Sequence, residues 1–213
     1  LHGFAFGSGL AALDTVLKLL KSGAHVVVGS NVYGGSHRLM QRVYENFGVA
    51  FTFVDMREVA NIEAALRPTT RMLYCETPTN PMMFLTDLRA VGDLAQAHGL
   101  LLVVDNTFAT PILQRPLALG ADIVLHSTTK YLNGHSDMVG GALVTAREDL
   151  GERIGFLQNA AGGIPGPFDC WLALRGIKTL PRRMRAHCES AGKLATWLAG
   201  RSDVQHVYYP GLP

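Results

Sequence analysis

An open α/β sheet, mostly parallel and covered by helices on both faces, is the fold this sequence predicts, and three observations predict it. Short apolar runs alternate with helical patterns along the chain. Several of these runs are apolar at successive positions rather than at every second one, as strands are when both faces of their sheet are covered. Hydrophobic residues make up 48% of the 213 and charged residues 17%, a composition that excludes disorder. A chain of this length holds one sizeable domain and part of a second.

The first strand covers residues 4–6 and runs through Gly7-Ser8-Gly9 straight into a helix. Leu10, Leu13, Val16, Leu17 and Leu20 share one face of that helix, and Gly23 stands where a C-terminal stop belongs. Further strands are expected at residues 25–29, 50–55, 72–76, 100–105, 123–126 and 142–145. Ahead of the 100–105 strand, Thr86 or Asp87 caps a helix striped by Leu88, Val91, Leu94 and Ala95 and ended by Gly99. Residues 159–167, rich in Gly and Pro, read as a loop over the sheet. Met184, Cys188, Ala191, Leu194 and Leu198 then mark a helix over 181–199, and residues 204–209 read as a strand cut off by Pro210. The expected organisation is a large domain over residues 1–180. A linking helix and the first strand of a small C-terminal α/β domain follow over 181–213.

The formal charge of +2 is too balanced for a partner with a phosphate backbone, so nucleic acid is not expected. The longest apolar run, residues 100–104, is far too short to span a bilayer. Cys75, Cys170 and Cys188 are odd in number and form no C-x-x-C, so neither a disulfide framework nor a metal site is indicated, and a reducing cytoplasm fits. Arg182, Arg183 and Arg185 read as a solvated helix face. The chain starts at Leu1 with neither a basic segment nor a signal-like stretch, and is expected to begin inside a longer protein.

Ligands of open α/β sheets bind beyond the carboxyl ends of the strands. Gly7-Ser8-Gly9 joins a strand to a helix N-terminus, where backbone N–H groups and the helix dipole favour phosphate. Residues 7–12 match G-x-G-x-x-A, but the next strand ends in Gly29-Ser30-Asn31 with no acid for a ribose, which weakens a nicotinamide-dinucleotide reading. At the same edge, one strand delivers Asp105 and the next delivers Ser127-Thr128-Thr129-Lys130. A lysine rimmed by hydroxyls near a strand-end carboxylate suits Schiff-base chemistry with a phosphorylated aldehyde cofactor. Taken singly, such residues more commonly pair structurally or cap loops, and it is the combination of Asp105 with Lys130 that favours the chemistry.

Five stretches carry a resemblance over the whole chain: Ser8-Gly9-Leu10, Tyr33-Gly34-Gly35, residues 76–81, residues 104–108, and above all residues 127–137. With them the sequence resembles the Cys/Met-metabolism class of fold-type I enzymes dependent on pyridoxal 5′-phosphate (PLP). The resemblance implies the aspartate-aminotransferase-like large domain as the fold. It implies Lys130 as the lysine that carries the cofactor and shuttles protons, and Asp105 as the partner of the pyridinium nitrogen. Tyr33 would stack on the ring and serve as a second proton carrier. Gly9 and Leu10 amides and Ser127 and Thr129 hydroxyls would hold phosphate, Asn80 would sit near the phenolic oxygen, and Thr107 would pack on the opposite ring face. His126, His135 and Cys75 read as structural, and Glu76 has at most an outside claim to a cofactor contact.

Among the class, residues 156–159, 164–170 and 175–180 look most like cystathionine γ-lyases, which convert cystathionine to cysteine, 2-oxobutyrate and ammonia. A γ-synthase or O-acyl-homoserine sulfhydrylase, acting on a homoserine ester, is the alternative. Methionine γ-lyase is disfavoured because Gly35 and Ser36, not a cysteine, follow Tyr33-Gly34. The class implies a homotetramer of dimers with shared sites. It also implies an N-terminal arm and a C-terminal carboxylate-binding arginine that this chain lacks. A dinucleotide oxidoreductase and an inactive structural fragment stand as readings from other classes.

Overall fold

The computed structural model describes residues 1–212. In chain order its elements are β1 (His2–Phe6), α1 (Gly9–Leu17), β2 (His25–Gly29), α2 (Gly34–Arg42), β3 (Ala50–Val54), α3 (Val59–Ala64) and β4 (Thr70–Glu76). There follow α4 (Leu88–Ala97), β5 (Leu101–Asp105), α5 (Thr110–Leu113), β6 (Ile123–Ser127), β7 (Gly141–Thr145), α6 (Glu148–Ala161), α7 (Pro167–Ile177) and α8 (Leu180–Ala199). The seven strands form one sheet in the order β1-β7-β6-β5-β4-β2-β3. β3, β2, β4, β5 and β6 are parallel, while β7 lies antiparallel to β6 and β1 antiparallel to β7.

The continuous apolar runs separate by the two-residue period of a strand. Val26, Val28, Met72, Tyr74, Val103, Ile123 and Leu125 point to the face covered by α1. Val27, Leu73, Cys75, Leu102, Val104 and Val124 point to the opposite face, against Leu88, Val91 and Ala95 of α4. After β3 the chain returns to the other side of β2 to form β4. That reversal opens a crevice at the carboxyl ends of β2 and β4.

Buried His25 fixes the register of this half of the sheet. Its Nδ1 lies 2.8 Å from Thr70 Oγ1 and its Nε2 2.9 Å from Thr52 Oγ1, so it joins β2 to both neighbouring strands. Burial, with the nearby Arg67 charge, lowers its pKa to about 4. The folded ring therefore resists protonation that the unfolded chain accepts, and its stabilising contribution is lost as pH falls from about 6.5 toward 4. His25→Gln is expected to cost roughly 1–2 kcal/mol at pH 7. The gap to the unsubstituted protein will narrow toward pH 4.5, which urea unfolding across that range checks.

Four expectations are corrected. The first helix stops at Leu17: the amides of Leu19 and Leu20 bond to Val16 and Leu17 carbonyls in tightened turns, and Gly23, at φ +88°, makes the left-handed turn before β2. The Gly- and Pro-rich stretch at 159–167 is loop only in its centre, since α6 runs on to Ala161, Gly162 caps it at φ +71° and Pro167 opens α7. Residues 204–209 form no strand. No neighbouring strand offers them a ladder among the described residues, and an apolar β-type sequence without one stays irregular. Arg183 is not simply solvated: half-buried on α8, it donates to the carbonyls of Tyr131 (2.7 Å), Leu132 (3.2 Å) and Gly176 (2.9 Å). No helix among the described residues is long and apolar enough to cross a membrane.

Candidate active site

All nine residues singled out from the sequence, Gly9, Leu10, Tyr33, Asn80, Asp105, Thr107, Ser127, Thr129 and Lys130, line one cavity of about 280 Å³ at the carboxyl edge of the sheet. His126, His135 and Cys75 are outside that lining.

One wall is the start of α1. Ser8, extended at φ −164°, caps the helix by accepting the Ala11 N–H at 3.0 Å. The amides of Gly9 and Leu10 head the helix, where N–H groups have no intrahelical acceptor. A Cβ on Gly9 would come 3.0 Å from the Cβ of Ser127, and one on Gly141 would come 2.2 Å from the Ser8 carbonyl oxygen. Glycine at both positions lets the helix N-terminus sit directly against the ends of β6 and β7.

The floor is Asp105, buried at the end of β5. Its Oδ1 accepts from the Thr107 amide (3.0 Å) and hydroxyl (2.5 Å), and its Oδ2 from the phenol of buried Tyr74 (3.3 Å). The Thr107 hydroxyl also accepts the Ser127 N–H at 2.8 Å, tying floor to rim. Burial pushes the Asp105 carboxyl above its usual range against the pull of those donors. Burial, followed by the Asp105 and Glu76 charges, pushes the Tyr74 phenol well up, so Tyr74 remains a donor. Asp105 has no cationic partner among the described residues.

Across the cavity, Lys130 follows β6 in a turn where its amide bonds to the Ser127 carbonyl at 3.3 Å. The Thr129 hydroxyl donates to the Gly140 carbonyl (3.2 Å) and accepts the Gly140 N–H (3.1 Å). To donate to a phosphate it must release that carbonyl. Arg183 gathers the carbonyls that follow Lys130 and anchors the segment from α8.

Tyr33 stands at the N-terminus of α2, the residue 49% exposed at the mouth. A Cβ on Gly35 would meet that ring at 2.3 Å, so the tyrosine lies over the bare glycine. The Tyr33 N–H donates to Glu76 Oε2 at 2.7 Å. Glu76 ends β4 directly beside Asp105 in the register. Burial first, then the Asp105 charge, raises its carboxyl to about 8. Asn80 sits on a loop secured by Thr86 N–H to Thr77 Oγ1 (3.1 Å), Phe84 N–H to Thr79 Oγ1 (3.0 Å) and Gln114 Nε2 to the Thr77 carbonyl (3.2 Å).

The remaining candidates lie outside the cavity lining. Burial lowers His126 to about 4 and leaves its Nδ1 without a partner among the described residues. His135 Nδ1 lies 2.7 Å from the Asn133 carbonyl. Burial pushes the Cys75 thiol up to about 12, far from a thiolate. Tyr74 escaped the sequence reading. Its signal was the two-residue period that puts it on the same face of β4 as Glu76, towards the end of β5.

A phosphorylated pyridine aldehyde fits these walls. The glycine cradle and rim hydroxyls suit its phosphate, the buried and uncompensated Asp105 suits a ring cation, and a primary amine faces the same space.

Comparisons with known proteins agree with this geometry. Residues 1–213 match the family described as Cys/Met metabolism PLP-dependent enzyme. The probable cystathionine gamma-synthase of Herpetosiphon aurantiacus is 52% identical over 212 residues, covering 100% of this chain and 66% of that protein. The cystathionine beta-lyase of Coxiella burnetii is 51% identical over 214 residues, covering 100% of this chain and 55% of its own. The crystal structure of cystathionine gamma-lyase from Lactobacillus plantarum complexed with L-serine superposes with a TM-score of 0.98 at 54% identity, covering 99% of this chain and 55% of that one. The chain thus spans between about half and two thirds of the length of these relatives. It belongs to the Cys/Met metabolism PLP-dependent enzyme family, whose cofactor is pyridoxal 5′-phosphate.

Proposed function

We propose that the protein holds PLP in this cavity and cleaves the Cγ–S bond of cystathionine, consuming water and yielding cysteine, 2-oxobutyrate and ammonia. The observation that carries the PLP site is the convergence of Lys130, Asp105 and the Gly9 helix N-terminus on one cavity. The choice of γ-lyase rests on residues 156–159, 164–170 and 175–180. Its relatives include a gamma-synthase and a beta-lyase at nearly equal identity, so the alternative is γ-replacement on a homoserine ester.

When bound, PLP supplies an aldehyde reactive toward amines and an electron sink for the carbanions formed beside it. The chain's own residues do the rest. Gly9 and Leu10 amides with the Ser127 and Thr129 hydroxyls bind phosphate, and the Asp105 carboxylate holds the ring cation. Tyr33 covers one ring face, with Thr107 on the other, and Asn80 contacts the ring's edge. The Lys130 amine takes and returns protons at the substrate's α and β carbons, while the Tyr33 phenol exchanges a proton with the amine or the departing sulfur.

Product analysis separates the readings. Cystathionine alone is expected to give 2-oxobutyrate and cysteine in equal amounts. Pyruvate with homocysteine would replace this reading with β-cleavage, and cystathionine formed from cysteine and a homoserine ester would replace it with synthesis. The same reading has the protein acting in the cytoplasm as a homotetramer of dimers. Exposed Phe156, Phe168, Trp171 and Leu174 on α6 and α7 support a subunit contact. It also makes α8 the link to a C-terminal domain.

A further inference from the structure

One buried acid on the cavity wall has no task in that mechanism. We propose that Glu76 is a positioning residue, clipping the Tyr33 main chain to the sheet beside Asp105 and so fixing where the tyrosine ring lies over the cofactor. The inference rests on the reading that Tyr33 stacks on PLP.

Two observations converge on it. The Tyr33 amide precedes α2, outside the helical ladder, and its hydrogen bond is the one to Glu76 Oε2 at 2.7 Å. Glu76 is itself the register partner of Asp105 on neighbouring parallel strands, 8% exposed and fixed by the ladder. One side chain therefore refers the tyrosine to the carboxylate proposed to mark the position of the ring nitrogen. The clip needs an acceptor oxygen and not a charge. Burial raises both carboxyls, and in either protonation state Glu76 still offers the Tyr33 amide an acceptor oxygen.

The test begins in PLP-free protein. Amide exchange at Tyr33 is expected to be slowed about tenfold or more relative to a free amide, to speed up in Glu76→Leu and to be slow again in Glu76→Gln. With PLP added, Glu76→Leu is expected to weaken PLP binding about tenfold or more and to alter the visible circular dichroism of the bound ring. Glu76→Gln should restore both to within about threefold. An unprotected Tyr33 amide in the unsubstituted protein overturns the clip, as does a folded Glu76→Leu protein with unchanged PLP affinity and dichroism. Failure of Glu76→Gln to restore them overturns it too, because an acceptor would then not suffice. If Glu76→Leu does not fold, the Tyr33 exchange rate and the Glu76→Gln protein decide. Failure of the unsubstituted protein to bind PLP would end the cofactor reading instead, and exchange at Tyr33 would still judge the clip.

Discussion

Borohydride reduction of the PLP-loaded protein will leave a phosphopyridoxyl group on Lys130, and Lys130→Ala will lower carbon–sulfur cleavage by at least about 10³-fold. The selectivity follows from position. Of the lysines, Lys18 is paired with Asp14 and Lys193 with Glu189, both on helix surfaces, and Lys21 and Lys178 lie outside the cavity that Lys130 lines. The size of the loss follows from the number of tasks the proposed mechanism gives one amine, which would anchor the cofactor and then move protons at two substrate carbons. Peptide mass mapping after reduction reads the first part and single-turnover kinetics the second. A label on another lysine, or an alanine variant within tenfold of the unsubstituted protein, would remove Lys130 from the mechanism.

Asp105→Asn will separate stability from chemistry. Without the carboxylate, the ring cation loses its partner, and cleavage is expected to fall by about 10²–10³-fold, as when a preorganised charge or donor is removed from a buried site. The PLP-free protein should instead become more stable at pH 7 to 8. The carboxyl is raised in the folded state, so folded protein binds its proton more tightly than unfolded protein does. Its contribution to stability is thus full below the usual carboxylate range and declines as pH rises through the raised value. Asparagine removes that decline while still accepting from Thr107 and presenting its amide N–H to the Tyr74 phenol oxygen. Thermal melts of PLP-free protein at pH 5 and 8 will show the gain at the higher pH. The rise in melting temperature on adding PLP will shrink with the lost affinity. A variant that melts lower than the unsubstituted protein at pH 8 would contradict the account.

The parts of this fold legible in the sequence are those set by local patterns. The β2 run His25–Gly29 and the capped α4 helix follow from unbroken apolar residues, Asp87 and Gly99, and they form where expected. The parts that were not legible depend on partners distant in sequence. Residues 204–209 have strand composition and no strand beside them, and the reversal of β7 between β6 and β1 leaves no mark on its own residues. Arg183 looked like one of three similar arginines until α8 set it over the carbonyls that follow Lys130. The site divides in the same way. Lys130, Asp105 and the Gly9 turn stand within compact motifs, whereas the grip of Glu76 on Tyr33 and the bond from Tyr74 to Asp105 exist only once strands from separate parts of the chain align.

The cradle at Gly9 has a consequence for the order in which the molecule is made. Its two sides are made far apart in time: Ser8 and Gly9 leave the ribosome more than a hundred residues before the Ser127 and Gly141 they pack against. At roughly 5–20 residues per second, β1 waits several seconds or longer before β7 can pair with it. Through that interval the nascent chain carries an unpaired edge strand and an open cradle, so the phosphate site proposed there would not form early. The cofactor-binding state arrives with the closing of the sheet, and a translation pause before residue 141 would prolong the stage most open to wrong strand pairing.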